Sequence, residues 1–237
     1  GGDRVLILGI DTATNQVGCA LGGHEGVIAS VASQRGRRHA ESLAPSIEFV
    51  LGQADVVLAD VGAIAVDLGP GLFTGLRVGV ATAKMLAHAL GIPVLGVSSL
   101  DLVAFAVRLT PRLIVAAIDA RRSELYFASY RQVPGGIQRI GEHRIGSPDE
   151  LASELMASGE EVLLVGDGAH RYREQFAAIP RVELADQGWS APCARSLVQL
   201  AHARALREEF DAGSTVMPIY LRRPDADPRS LVAKLGA

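Results

Sequence analysis

One pattern occurs twice in this chain and restricts its fold more than any other feature: an apolar strand ending in an aspartate, a short turn, and a second strand. The first copy is Val5-Leu6-Ile7-Leu8-Gly9-Ile10, then Asp11-Thr12-Ala13-Thr14-Asn15, then a strand over 17–21. The second is the apolar run 113–118, then Asp119-Ala120-Arg121-Arg122, then a strand over 125–130. Each copy continues through a glycine turn, Gly22-Gly23 or Pro134-Gly135-Gly136, into a third strand near 27–32 or 137–145. Two antiparallel meanders with matching aspartates imply a duplicated unit.

Between the copies the period changes. From about Ser42 the apolar residues Leu43, Ile47, Val50 and Leu51 have helical spacing, with Pro45 acceptable if it lies in the first turn. A strand over 63–68, the loop Gly69-Pro70-Gly71, a helix over 74–90 and a strand over 93–97 form a parallel crossover. A short helix over 100–107 closes the first unit. In the second, helices over 148–157 and 169–177 flank a strand over 162–165 and the loop Gly166-Asp167-Gly168, and a long helix spans 191–210. The fold class is α/β with two duplicated lobes, 1–108 and 109–237.

With 237 residues, 49% hydrophobic, there is enough apolar material for two cores. The 23 Lys and Arg against 26 Asp and Glu give a net charge of -3, so the chain lacks the overall basic field that non-specific nucleic-acid binding needs. The basic clusters Arg35, Arg37, Arg38 and Arg121, Arg122 read as solvated surface. Two distant cysteines, Cys19 and Cys193, suggest neither a disulfide framework nor a zinc site. A reducing cytoplasm is the expected setting, with no membrane span.

The segment Asp67-Leu68-Gly69-Pro70-Gly71-Leu72-Phe73-Thr74-Gly75-Leu76-Arg77-Val78-Gly79 is the most informative stretch. A glycine loop before a helix can cradle phosphate, but no Gly-Lys-Ser/Thr follows at P-loop spacing. No acid follows Val97-Ser98-Ser99 to hold a ribose, so a dinucleotide site is not indicated. Tight packing of the turn is the more economical reading. Gly75, Gly79, Ala83 and Ala87 make a stripe of small residues, which fits close packing on the lobe's own sheet and equally a docking face for a partner helix. Asp11 and Asp119 stand where strand-end acids orient phosphate or metal, or simply close their own turns; without a third acid nearby they do not specify a metal.

The ordered set Ile7-Leu8-Gly9-Ile10-Asp11-Thr12, His39-Ala40-Glu41-Ser42-Leu43-Ala44-Pro45, the 69–79 loop and helix start, 91–100, Asp119-Ala120-Arg121-Arg122 and Pro218-Ile219-Tyr220-Leu221-Arg222 resembles the TsaB (YeaZ) family across almost the whole chain. Leu72 departs from it, standing where the family usually has a small hydroxyl residue. The resemblance implies an actin-like (Hsp70, sugar kinase) fold and a catalytic paralogue, TsaD, with a metal-binding His-x-x-x-His. The matching positions here are Ser99 and Val103, neither of which suits a metal.

It further implies a non-catalytic subunit that docks on TsaD through the helices beginning near Ser42 and Thr74, with the ATPase TsaE as third subunit. A homodimer is expected in isolation, with tRNA met only through the complex. On that footing the interface candidates are His39, Glu41, Leu43, Ile47 and Val50 on one helix and Gly75, Leu76, Gly79, Val80 and Ala83 on the other. No cofactor is expected. The alternative is a residual ATP-binding, ATP-hydrolysing enzyme of the same fold, for which Asp11 and Thr12 are the weak cofactor candidates and Asp119 their counterpart across the cleft.

Overall fold

The computed structural model describes residues 5–34 and 39–221. The cluster Arg35, Arg37, Arg38 and the residues from Arg222 onward lie outside them.

The repeat seen in the sequence is a repeat of topology. The first sheet contains β1 (Ile7–Asp11), β2 (Val17–Gly23), β3 (Gly26–Ser33), β4 (Ala63–Asp67) and β5 (Val94–Val97) in the order β3-β2-β1-β4-β5. The second contains β6 (Leu113–Arg121), β7 (Glu124–Val133), β8 (Gly136–Gly146), β9 (Val162–Val165) and β10 (Val182–Leu184) in the order β10-β9-β6-β7-β8. Mapping β1 to β6, β2 to β7 and so on makes the two orders identical. In both sheets the meander is antiparallel and the crossover strands are parallel. This is the duplicated arrangement of the actin-like fold.

Helices α1 (His39–Gln53) and α2 (Phe73–Leu90) cover one face of the first sheet. Leu43, Ile47 and Val50 of α1 and Val80, Ala83 and Ala87 of α2 pack there on Leu8, Ile10, Cys19, Ile64 and Val66. Period-2 alternation sends Ile7, Ala20, Ala63, Ala65 and Leu95 to the other face. That face is covered by α7 (Ala194–Ala205), the last helix of the second lobe, through Leu197, Val198 and Ala201. The exchange is mutual. Helix α3 (Ser99–Ala106) ends the first lobe yet lays Leu100, Val103 and Ala104 on Ile114, Ala116 and Tyr130 of the second sheet, and Tyr130 Oη donates to Asp101 of α3 at 2.7 Å. Helices α4 (Pro148–Ser158), α5 (Asp167–Arg171) and α6 (Arg173–Ala177) fill the remaining face.

Four elements differ from the sequence reading. Helix α1 begins at His39, ahead of Ser42, so Pro45 lies inside it and not in its first turn. The helix expected over 169–177 begins earlier and is broken at Tyr172, which has non-helical backbone. The helix expected over 191–210 is shorter because Cys193 is extended, and the chain beyond Leu206 turns back through Glu208 at φ 57°. Strand β10 was not anticipated: three residues carry too little pattern to read.

After α7 the chain returns to the first lobe. Arg204 donates to the Gly96 carbonyl at 2.8 Å and pairs with Asp211, which accepts from Gly96 N–H at 2.7 Å and bridges antiparallel to Val94. The β5 edge is therefore occupied by the chain's own segment. Ile219 N–H donates to the Leu68 carbonyl at 2.7 Å, and Tyr220 stacks on Phe73 at 5.4 Å. No helix among the described residues is long and apolar enough to cross a membrane.

Because α7 closes the first sheet, Leu197→Ala should cost about 2–5 kcal/mol by leaving a cavity in that core. Hydrogen exchange should show protection falling in β1 and β2 more than in β6 and β7. Equal loss in both sheets would place the role of α7 elsewhere.

Candidate functional site

The residues singled out at the end of β1 and at the start of α2 form one tightly joined node. Thr12 Oγ1 donates to the Gly75 carbonyl at 2.7 Å, and Leu72 N–H donates to the Ala13 carbonyl at 2.7 Å. His39, at the start of α1, donates through Nε2 to the Thr14 carbonyl at 2.6 Å. The Asp11–Thr14 turn thus holds both helices. Such an approach is possible only because α2 has no side chains at the contact. A Cβ at Gly75 would stand well inside contact with the Thr12 carbonyl oxygen, and one at Gly79 would meet Thr12 Oγ1.

The loop that might have cradled phosphate is spent on this packing. Gly69 N–H donates to Asp67 Oδ1, Leu72 N–H to Ala13, and the Gly69 carbonyl accepts from Ser99 N–H. The small-residue stripe likewise faces inward: Gly75, Gly79, Ala83 and Ala87 are buried against their own lobe.

The interface candidates lie mostly on the inner faces of their helices. Of the ten candidates, Leu43, Ile47, Val50, Leu76, Val80 and Ala83 are buried apolar core, Gly75 and Gly79 abut Thr12, and His39 is buried on Thr14. Glu41 alone is exposed. The helical spacing that made those residues conspicuous is the signature of a face turned to the sheet. Outward on the same helices lie Phe49, 49% exposed, Phe73, 50%, and Met85, 61%, together with Ala44, Pro45, Ala81 and Ala89 and the charged Glu48 and Arg77.

Ser99 and Val103 are both committed to structure. Ser99 Oγ donates to Asp67 Oδ1 at 2.6 Å, and Val103 lies fully buried in the core between α3 and the second sheet. Among the described residues no cluster of three or more His, Cys, Asp or Glu is placed to hold a metal ion.

Asp67, to which the sequence alone assigns no role, is fully buried beside Asp11. Strands β1 and β4 pair in parallel with Ile10 opposite Val66, so the next residue of each strand ends at the same level. Burial pushes Asp11 up to about 6, against the lowering influence of the Ala13 N–H, Asp67 and His39. Burial, reinforced by the charge of Asp11, raises Asp67 well above the ordinary carboxylate range. Burial followed by the same Asp11 charge pushes the Cys19 thiol up to about 12.

The equivalent acids of the second lobe have different surroundings. Asp119 accepts from Arg171 at 3.1 Å and pairs with Arg121 at 3.4 Å, while Asp167 Oδ1 accepts from Asp119 N–H at 2.9 Å. They line a depression between the lobes with Ala13, Thr14, Gly71 and Tyr126. Arg121, Arg122 and Ser123 all have left-handed backbone, at φ 64°, 53° and 58°. Three such non-glycine residues in succession are costly. Arg121 and Arg122 are exposed, as the reading of solvated surface has it, and they sit in a strained turn at the cleft.

Replacing glycine by alanine inside a helix ordinarily stabilises by about 1 kcal/mol. At Gly75 the clash with the Thr12 carbonyl should reverse the sign, and Gly75→Ala should lose about 1–3 kcal/mol in denaturant unfolding. A stabilised variant would contradict the close contact.

The comparisons agree with this architecture. The family model for TsaD, tRNA N6-adenosine threonylcarbamoyltransferase, matches residues 21–229. An uncharacterized Mycobacterium leprae protein is 35% identical over 94% of this chain, which spans 56% of that protein's length. The Escherichia coli tRNA threonylcarbamoyladenosine biosynthesis protein TsaB is 31% identical over 91% of this chain and 94% of its own. A Pseudomonas aeruginosa structure, described as similar to peptidase YeaZ, superposes with a TM-score of 0.81 at 32% identity, covering 92% of this chain and all of that one. With the duplicated lobes, the Asp11–Gly75 node and these matches together, the chain belongs to the TsaB (YeaZ) family.

Proposed function

We propose that this chain is a non-catalytic scaffold and dimerisation subunit that binds a TsaD-type protein, with TsaE, in forming threonylcarbamoyladenosine next to the anticodon of tRNAs. The observation that carries the reading is the outward face of α1 and α2. Phe49, Phe73 and Met85 are half exposed or more, on neighbouring helices whose inner faces are already spent on the sheet. Exposed large apolar side chains on adjoining helices are what an interface draws on. A standard-sized contact would bury about 800 Å² on each partner.

The division of labour follows from the side chains. Ser99 and Val103, at the positions that the resemblance pairs with the paralogue's metal-binding histidines, hold Asp67 and the α3 core instead. The reaction then belongs to the partner, and this chain supplies a rigid docking platform. With a net charge of -3, its contact with tRNA is made through the complex. The same apolar face serves homodimerisation when TsaD is absent, and the setting is cytoplasmic.

The test separates outward from inward residues on one helix. Met85→Arg, at an exposed position, should leave folding stability within about 0.5 kcal/mol and abolish co-purification with TsaD and homodimerisation. Ala83→Arg, at a position with no exposure, should unfold the first lobe. A folded Met85→Arg variant that binds TsaD with undiminished affinity would overturn the reading.

A further inference from the structure

Asp11 and Asp67 present a problem of charge. Both are wholly buried, at the ends of paired strands and within hydrogen-bonding reach of each other. Each uses Oδ1 on its own turn: Asp11 accepts from Ala13 N–H at 3.1 Å, and Asp67 accepts from Gly69 N–H at 2.8 Å and Ser99 Oγ at 2.6 Å. Each Oδ2 is buried with no donor from the protein. Two adjacent carboxylates in a medium of low dielectric cannot both remain ionised. The missing donor is supplied most simply by a proton on one of them.

We infer that Asp11 and Asp67 form a buried proton-binding site, in which one shared proton joins the two Oδ2 atoms and ties the β1–β2 turn to the β4–α2 loop. Its surroundings make that proton structural. Through Thr12 and His39 the Asp11 turn holds α2 and α1, and through Ser99 the Asp67 carboxyl holds the start of α3, the helix given to the other lobe. The titratable groups acting on the pair from neighbouring elements are His39 of α1 and Cys19 of β2; α2 meets the turn with Gly75 and Gly79. In the second lobe Asp119 is instead paired with Arg121 and Arg171.

Both carboxyls are raised on folding, so the folded chain holds protons that the unfolded chain has released, and stability falls as pH rises. Above about 6, where Asp11 loses its own proton, one remains on the pair. Folding then takes up one proton, and the unfolding constant should rise about tenfold per pH unit from this site alone.

The experiment compares wild type with Asp67→Asn in denaturant unfolding between about pH 6.5 and 8, where the asparagine amide donates to Asp11 in place of the shared proton. The wild-type slope should exceed that of the variant by about one proton, and infrared difference spectra at neutral pH should show a protonated carboxyl stretch that Asp67→Asn lacks. If Asp67→Asn does not fold, Asp11→Asn and the wild-type infrared spectrum decide. Equal slopes, or wild type without a protonated carboxyl at neutral pH, would overturn the inference. So would loss of that band on adding magnesium or calcium ions with a rise in melting temperature, which would assign the site to a cation.

Discussion

The arrangement of the first lobe depends on how close α2 comes to the turn after β1. Thr12 reaches across to the Gly75 carbonyl, and the absence of side chains at Gly75 and Gly79 allows it. That contact fixes the rotation of α2 about its axis. With Gly75, Gly79, Ala83 and Ala87 turned inward, Phe73, Arg77, Ala81 and Met85 follow at four-residue intervals on the outside. Helix α1 is fixed at the same node through His39, and Phe49 lies exposed on it. The apolar outer face is thus a consequence of backbone packing at the turn.

Duplication gave two copies of the unit, and the structure uses them unequally. The helices exchanged between the lobes, α3 and α7, make each sheet's second face depend on the other half of the chain. The strand-end acids have diverged. In the first lobe they are sealed from solvent and neighbour one another; in the second they meet arginines at an open depression beside a strained turn. A closed first-lobe loop, with its N–H groups donating to the protein itself, leaves that half built for rigidity.

Much of the fold was legible because its signals are local. Apolar runs ending at Asp11 and Asp119 marked β1 and β6, and the four- and three-residue spacing of Leu43, Ile47 and Val50 marked α1. The site was less so, since it depends on what lies opposite. The stripe Gly75, Gly79 and Ala83 says only that something comes close, and just the folded chain identifies it as Thr12 and the sheet. Asp67 reads as one acid before a glycine loop until the β1–β4 register places it beside Asp11. The segment from Asp211 to Tyr220 has no period to read, because isolated contacts with Val94, Leu68 and Phe73 hold it.

The central claim is that the outer face of α1 and α2 is where a TsaD-type partner sits, and hydroxyl-radical footprinting tests it on the unmodified protein. At a dilution at which the chain is monomeric, Phe49, Phe73 and Met85 should be oxidised readily, as should Met156 and Trp189, which are exposed elsewhere. On adding TsaD, the first three should lose reactivity together while Met156 and Trp189 keep theirs. Continued oxidation of Met85 and both phenylalanines in a saturated complex, with protection appearing at Met156 or Trp189, would contradict the account.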